Sequence, residues 1–275
     1  MILVVDIGNT NISMGVMSGN EILGNFRFTT KTPRTSDEYG ICINTLLFKS
    51  RINAEDVEDV IISSVVPKIM HSFNNAVRKY LNKTPIIIGA GIKTGISINT
   101  DNPKEVGADR IVSVAYAYHT YHKPCIIVDF GTATTFDYVS ETGEFKYTVI
   151  SPGIEIGAHA LYTQTAKLPE VEIKKPESIL GRNTVSGMQA GIVYGYIGLV
   201  EYIIKKMKEE LNVPDALVIG TGGIGRVIYQ ETDLIHEYDP DLAFKGIKII
   251  YDKNKWWFNV NKALYALFKT SIILK

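Results

Sequence analysis

Ile2-Leu3-Val4-Val5-Asp6-Ile7-Gly8-Asn9-Thr10 and Cys125-Ile126-Ile127-Val128-Asp129-Phe130-Gly131-Thr132 share one grammar, and their aspartates lie 123 residues apart. Each is an unbroken apolar run, rich in β-branched residues, that ends in D-x-G. Such a run reads as a strand buried on both faces, and the glycine lets the chain turn tightly. Working outward from the first stretch, Asn11–Met17 and Leu23–Thr30 read as strands around the turn Ser18-Gly19-Asn20. Outward from the second, Phe136–Val139 and Phe145–Ile150 flank the turn Glu141-Thr142-Gly143-Glu144. Strand, D-x-G, strand, turn, strand therefore occurs twice, each time as an antiparallel meander. A repeat of this length predicts an internally duplicated α/β chain of two lobes rather than a solenoid.

The rest of the chain fits that frame. Ser36-Asp37-Glu38 opens a helix continued by Tyr39–Lys49, Val60–Ser64 is a strand, Lys68–Leu81 a helix and Pro85–Ile88 a short strand. Ala216–Ile219 is a strand before a glycine-rich turn. Gly187–Leu211 reads as a long helix carrying Gly187, Gly191, Gly195 and Gly198. Each interior glycine costs about 1 kcal/mol against alanine, so close packing against another lobe or another subunit is expected there. The domain boundaries expected are 1–120 and 121–252 for the lobes, with 253–275 as an extension.

At 275 residues the chain has room for two modest domains. It is 45% hydrophobic and 21% charged, which excludes disorder over its length. Lys+Arg and Asp+Glu are 29 each, so the formal charge is zero and no basic footprint for nucleic acid exists. A small anion can still be met by backbone amides and a few local charges. Two cysteines, Cys42 and Cys125, make neither a disulfide scaffold nor a CxxC metal site and fit a reducing compartment. No leader and no run long enough to span a membrane is read, so a cytoplasmic protein is expected.

Four segments offer chemistry. Asp6 through Ser13 can aim backbone N–H groups at a phosphate while Asp6 holds a hydrated magnesium ion, or it is an ordinary hairpin with an Asx-turn. Asp129-Phe130-Gly131-Thr132 repeats the arrangement, and two such loops across a cleft would clamp a polyphosphate. Gly220-Thr221-Gly222-Gly223-Ile224-Gly225 matches the dinucleotide fingerprint formally, but the acids that follow, Glu237 to Asp241, read as loop. A glycine-rich wall for a nucleotide base and a plain strand-to-helix turn remain open. Asp109, preceded by Gly107 and Ala108 and followed by Arg110, reads as a dipole-stabilised helix-start residue or as a proton acceptor for a substrate hydroxyl. Gly181-Arg182-Asn183-Thr184 reads as a helix cap. His119 and His122 suit a helix end better than a metal pair.

Taken together these segments resemble the type III pantothenate kinases of the actin-like kinase superfamily. The resemblance rests on DIGNTNIS (Asp6–Ser13), NPKEVGADRI (Asn102–Ile111), DFGTATTFD (Asp129–Asp137), SPGIEIGAHAL (Ser151–Leu161) and TAKLP (Thr165–Pro169). It continues through GRNTVSGMQAGIVYG (Gly181–Gly195), VIGTGG (Val218–Gly223) and ETDLI (Glu231–Ile235), as far as about Tyr251. It implies two RNase H-like lobes with an ATP cleft between them, a homodimer, and ATP-dependent phosphorylation of pantothenate at the entry to coenzyme A synthesis. It implies that Asp6, Ile7, Gly8, Asn9, Thr10, Asn11, Ile12 and Ser13 form the phosphate loop, and that Thr132 contacts ATP. Gly107, Ala108, Asp109, Arg110 and Thr184 would meet pantothenate, with Asp109 as proton acceptor. Asp129 would bind potassium or ammonium, and Mg²⁺ would accompany ATP. No nucleic-acid or membrane partner is implied. Other kinases of the superfamily, or a non-catalytic nucleotide-binding regulator, are the alternative readings.

Two departures stand out. Thr100 occupies a position where many members carry a tyrosine packed on the substrate. The family ends near Gly246–Tyr251, read as a strand, whereas this chain continues through Trp256-Trp257 and the apolar stretch Leu264–Leu274, which could lie as an amphipathic helix on a partner subunit.

Overall fold

A computed structural model describes the backbone of residues 1–273 and the side chains of residues 1–256 and 258. In chain order the elements are β1 (Ile2–Ile7), β2 (Asn11–Ser18), β3 (Glu21–Thr29), α1 (Ser36–Lys49), β4 (Asp59–Ser64), α2 (Pro67–Leu81), β5 (Ile86–Ile87), β6 (Ser97–Ile98) and α3 (Ala108–Tyr121). There follow β7 (Cys125–Phe130), β8 (Ala133–Val139), β9 (Glu144–Pro152), α4 (Ile154–Thr163), α5 (Thr184–Glu210), β10 (Leu217–Thr221), α6 (Gly225–Tyr229), β11 (Glu237–Tyr238) and α7 (Leu242–Ile273). The chain packs as two compact units. One comprises 1–95, 106–116 and the segment from Ala243 onward; the other comprises 96–105 and 117–242.

The first unit is built on a sheet of order β3-β2-β1-β4-β5, antiparallel from β3 to β1 and parallel from β1 to β5. Strand alternation sends Leu3, Val5 and Ile7 to one face, where they meet Tyr39, Ile43 and Leu47 of α1 and Phe73 and Val77 of α2. Helix α1 is started by Thr35, whose hydroxyl accepts from the Glu38 N–H while Glu38 reaches back to the Thr35 N–H. The other face carries Val4 and Asp6 of β1 and Asp59, Ile61 and Ser63 of β4. Helix α7 covers part of it: Tyr251 Oη donates to the buried Asp59 Oδ2 at 2.6 Å, and the Phe244 ring lies against Gly15.

The second unit repeats the plan. Its sheet runs β11-β10-β7-β8-β9-β6, so β9-β8-β7-β10-β11 reproduces β3-β2-β1-β4-β5 in order and in direction, with β6 added at one edge. Ile126, Val128 and Phe130 face α4 and α5, packing with Ile154, Ile192, Tyr196 and Val200. The duplication read from the two D-x-G stretches is therefore present as two sheets of one topology.

Two expectations change. Gly246–Tyr251 is not a strand but lies inside α7, where Gly246 approaches Val112 so closely that an added Cβ would sit 2.8 Å from Val112 Cγ1. Residues Leu242–Tyr251 are apolar at helical rather than alternating spacing, with Leu242, Phe244, Ile247, Ile250 and Tyr251 buried. Glu237 stands in a strand, β11, not in a loop. At the α5 glycines the structure shows no close neighbour within the described residues: a Cβ added at Gly187, Gly191, Gly195 or Gly198 would meet no atom within 4 Å. The reading of Leu264–Leu274 as an amphipathic face lies outside the described side chains.

Candidate active site

Asp6 sits near the end of β1, and pairing on both sides selects its neighbours. Ser13 of β2 lies opposite it in the antiparallel register and Ser63 of β4 in the parallel register. A row of hydroxyl, carboxylate and hydroxyl thus crosses three strands. Past Ile7 the chain reverses through Gly8-Asn9-Thr10-Asn11, with the Gly8 N–H donating to Asn11 O at 3.0 Å. Thr30, just after β3, fixes the loop: its hydroxyl donates to Gly8 O at 2.8 Å and its N–H to Thr10 O at 2.9 Å. Ile7 and Ile12 are buried in the core, so only their backbone can serve a ligand, while Asn9 is exposed at the tip.

Asp109 is the second residue of α3. Its carboxylate accepts from the Arg110 N–H at 2.8 Å, and its carbonyl accepts from Ser113 Oγ at 3.1 Å. A Cβ on Gly107 would strike Asp109 Oδ1 and press on Val65 Cγ1 at 3.2 Å, so only glycine leaves the carboxylate its position. Burial lifts the Asp109 carboxyl above the usual range, against the Arg110 N–H and guanidinium, which lower it. Burial lifts Asp6 to about 7; the nearby Asp109 charge adds to this, and the Ser63 hydroxyl offsets only part. Asp6 Oδ1 is buried without a hydrogen-bond partner. A buried carboxylate with a second carboxylate nearby and an acceptor unmet suits a cation: Mg²⁺ takes few protein carboxylates and keeps its waters.

Asp129 near the end of β7 has an equivalent row. Thr135 of β8 and Thr221 of β10 are its partners in register. The hairpin is one residue shorter, Gly131-Thr132-Ala133, closed by the Gly131 N–H on Ala133 O at 3.1 Å. The Gly220–Gly225 turn is spent on packing here. Gly222 adopts φ +97°, and a Cβ on it would lie 2.6 Å from Phe130 O and 2.8 Å from Asp129 Oδ1. Gly225 gives its space to the Phe130 ring. Close approach within the unit accounts for Gly220, Gly222 and Gly225.

The remaining positions are simple to place. Asn183 caps α5, accepting from the Ser186 N–H at 2.9 Å, and Thr184 is the exposed first residue of that helix. Thr132 is exposed, and its carbonyl accepts from Gly153 N–H at 3.1 Å. His119 and His122 pack around the Tyr118 ring. Thr100 has a buried hydroxyl without a partner. Gly191 and Gly195 with Ile154, Gly157, Leu161 and Leu199 line an apolar concavity of about 270 Å³ between α4 and α5. Ser63 was not singled out from the sequence. The available signal was a hydroxyl directly after the apolar run of β4, where it has to be buried.

Two sheets of one strand order, each carrying an aspartate near the end of its central strand, define the actin-like fold. Solved structures agree on the fold. MreB 5 of Spiroplasma citri, bound to AMPPNP, superposes with a TM-score of 0.55 at 10% identity, covering 94% of this chain and 98% of that one. The activator of 2-hydroxyisocaproyl-CoA dehydratase from Clostridium difficile, with bound ADPNP, gives 0.51 at 11% identity, covering 94% and 97%. Within that fold, residues 2–206 match the type III pantothenate kinases. A type III pantothenate kinase of Agathobacter rectalis is 55% identical over 253 residues, which are 92% of this chain and 97% of that one. The chain belongs to the type III pantothenate kinase family, and its reaction is the phosphorylation of pantothenate in coenzyme A biosynthesis. No helix of the described residues is long and apolar enough to cross a membrane.

Proposed function

We propose that Asp109 accepts the proton of the pantothenate primary hydroxyl while the Asp6–Ser13 loop holds the ATP phosphates. The hydroxyl oxygen bonds to the γ-phosphorus, the bond to the bridging β,γ-oxygen breaks with its electron pair leaving on ADP, and the hydroxyl proton passes to Asp109. The observation that carries this reading is the buried Asp109 carboxylate, kept in place by Gly107 and made more basic by its surroundings. A carboxylate of raised pKa is a better proton acceptor near neutral pH. Gly107, Ala108 and Arg110 line the pantothenate pocket with it, and Thr184 also contacts pantothenate. Thr132 contacts ATP.

Because phosphoryl transfer passes through a loose transition state, positioning and charge neutralisation dominate. A divalent ion such as Mg²⁺, when bound, neutralises charge on the phosphates; Asp6, with its unmet Oδ1, is the residue that would hold its water shell. Asp129 is the proposed ligand of a monovalent cation, potassium or ammonium. A homodimer formed through the α4–α5 face would give the open glycine stripe of α5 its close-packed neighbour.

Asp109→Asn decides the assignment. Nucleotide binding should persist and turnover with pantothenate should fall by about 10²–10⁴-fold. Turnover at the wild-type level would remove Asp109 from the chemistry.

A further inference from the structure

Ser63 has no place in the roles above, yet its hydroxyl is tightly enclosed. Its side chain is fully buried, and Oγ has no hydrogen-bond partner. An unmet buried hydroxyl costs about 1–3 kcal/mol, so a compensating use is expected. The neighbouring Ser64 is accounted for, because its Oγ accepts the Val66 N–H at 3.1 Å and shapes the start of α2. Ser63 faces the opposite side of the sheet. There it stands beside Asp6 in register, and Asp6 Oδ1 is itself buried and unmet.

The second unit shows what this position does when it is purely structural. Thr221 stands beside Asp129 in the same parallel register, and its hydroxyl donates to Asp239 O at 2.7 Å. That donor is committed to the backbone of the segment after β11. In the first unit the equivalent donor is uncommitted. A hydroxyl carries one donor and an ionised carboxylate only acceptors, so Ser63 and Asp6 are complementary.

We propose that Ser63 is a positioning residue for Asp6: its Oγ–H donates to the Asp6 carboxylate and holds it aimed at the hydrated divalent cation that accompanies ATP. This rests on the reading of Asp6–Ser13 as the phosphate loop. Ser63 touches neither substrate nor phosphate. Its effect therefore appears only in measurements that involve the cation.

The test is calorimetric titration of the full-length protein with AMPPNP, in Mg²⁺ and in EDTA, for wild type, Ser63→Ala, Ser63→Thr and Asp6→Asn. Ser63→Ala should lose about tenfold in affinity in Mg²⁺, as expected for a hydrogen bond to a charged group, and nothing in EDTA. Its apo melting temperature should match or exceed that of wild type, because an unmet buried hydroxyl is removed. Ser63→Thr, which restores the donor, should recover the Mg²⁺-dependent affinity. In turnover, Ser63→Ala should raise the KM for Mg·ATP more than it lowers kcat. Ser63→Ala binding within twofold of wild type in Mg²⁺ overturns the proposal. So does an equal loss with and without Mg²⁺, which marks a packing defect. Asp6→Asn binding like wild type under both conditions overturns the phosphate-loop reading itself, and the two failures are thereby distinguishable.

Discussion

The two D-x-G hairpins have the same strand order, the same pairing directions and the same row of hydroxyl, carboxylate and hydroxyl. They differ in what surrounds the aspartate. Around Asp6 the loop is one residue longer, Gly8 has room, and both Asp6 Oδ1 and Ser63 Oγ lack partners. Around Asp129 the glycine turn after β10 closes in, Gly222 leaves no space for a side chain, and Thr221 is already hydrogen-bonded. One copy keeps its polar groups unmet at a cost to stability, and the other has spent them on packing. Duplicated units can thus divide labour without changing topology: unmet groups are available to a ligand, and met groups hold the loop in shape.

This contrast can be broken most sharply at Asp6. Asp6→Asn should lower turnover by about 10²–10³-fold, the scale for losing one well-placed electrostatic group. The same change should stabilise the ligand-free protein. The sign follows from the raised pKa: between about 4 and 7 the folded state keeps a proton on Asp6 that the unfolded chain has released, so wild-type stability falls as pH rises through that window. The asparagine variant escapes this loss. It should melt about 2–4 °C higher than wild type at pH 8, with the gain shrinking towards pH 5 in a thermal-denaturation series. A variant less stable than wild type at pH 8 would mean that Asp6 is not held at a cost.

The second hairpin is tested by Gly222→Ala. Positive φ and contact with Phe130 O should together destabilise the protein by about 3 kcal/mol, measured by denaturant unfolding. Gly8→Ala, whose Cβ would find only Asn11 O at 3.4 Å, should stay within about 0.5 kcal/mol of wild type. Equal losses at both glycines would erase the distinction between an open and a packed loop. The smallest effect concerns the paired hydroxyls. Thr221→Val should cost about 1 kcal/mol by taking a donor from Asp239 O, whereas Ser63→Ala should be neutral in the same unfolding measurement.

Much of this was legible beforehand. The apolar runs ending at Asp6 and Asp129 announced two central strands, and the turn residues after them announced the meanders. Asp109 was legible as a helix-start carboxylate because Gly107 and Ala108 precede it. Ser63 was not, since a serine after an apolar run looks like a strand end, and only pairing in register sets it beside Asp6. Gly246–Tyr251 was misread because Gly-Ile-Lys-Ile-Ile-Tyr is locally as good a strand as a helix, and its length as α7 depends on residues beyond it. The α5 glycines announced close packing but not with what.

By itself, then, the sequence determined the secondary elements with strong period, the duplication and the family, because these depend on local periodicity and on motifs contiguous in the chain. Tertiary structure alone decided which hydroxyl lies beside which carboxylate, which glycine is crowded and which is open, and how far burial raises Asp6. Those properties depend on register, contact and dielectric between residues that are distant in the chain, and no local pattern encodes them.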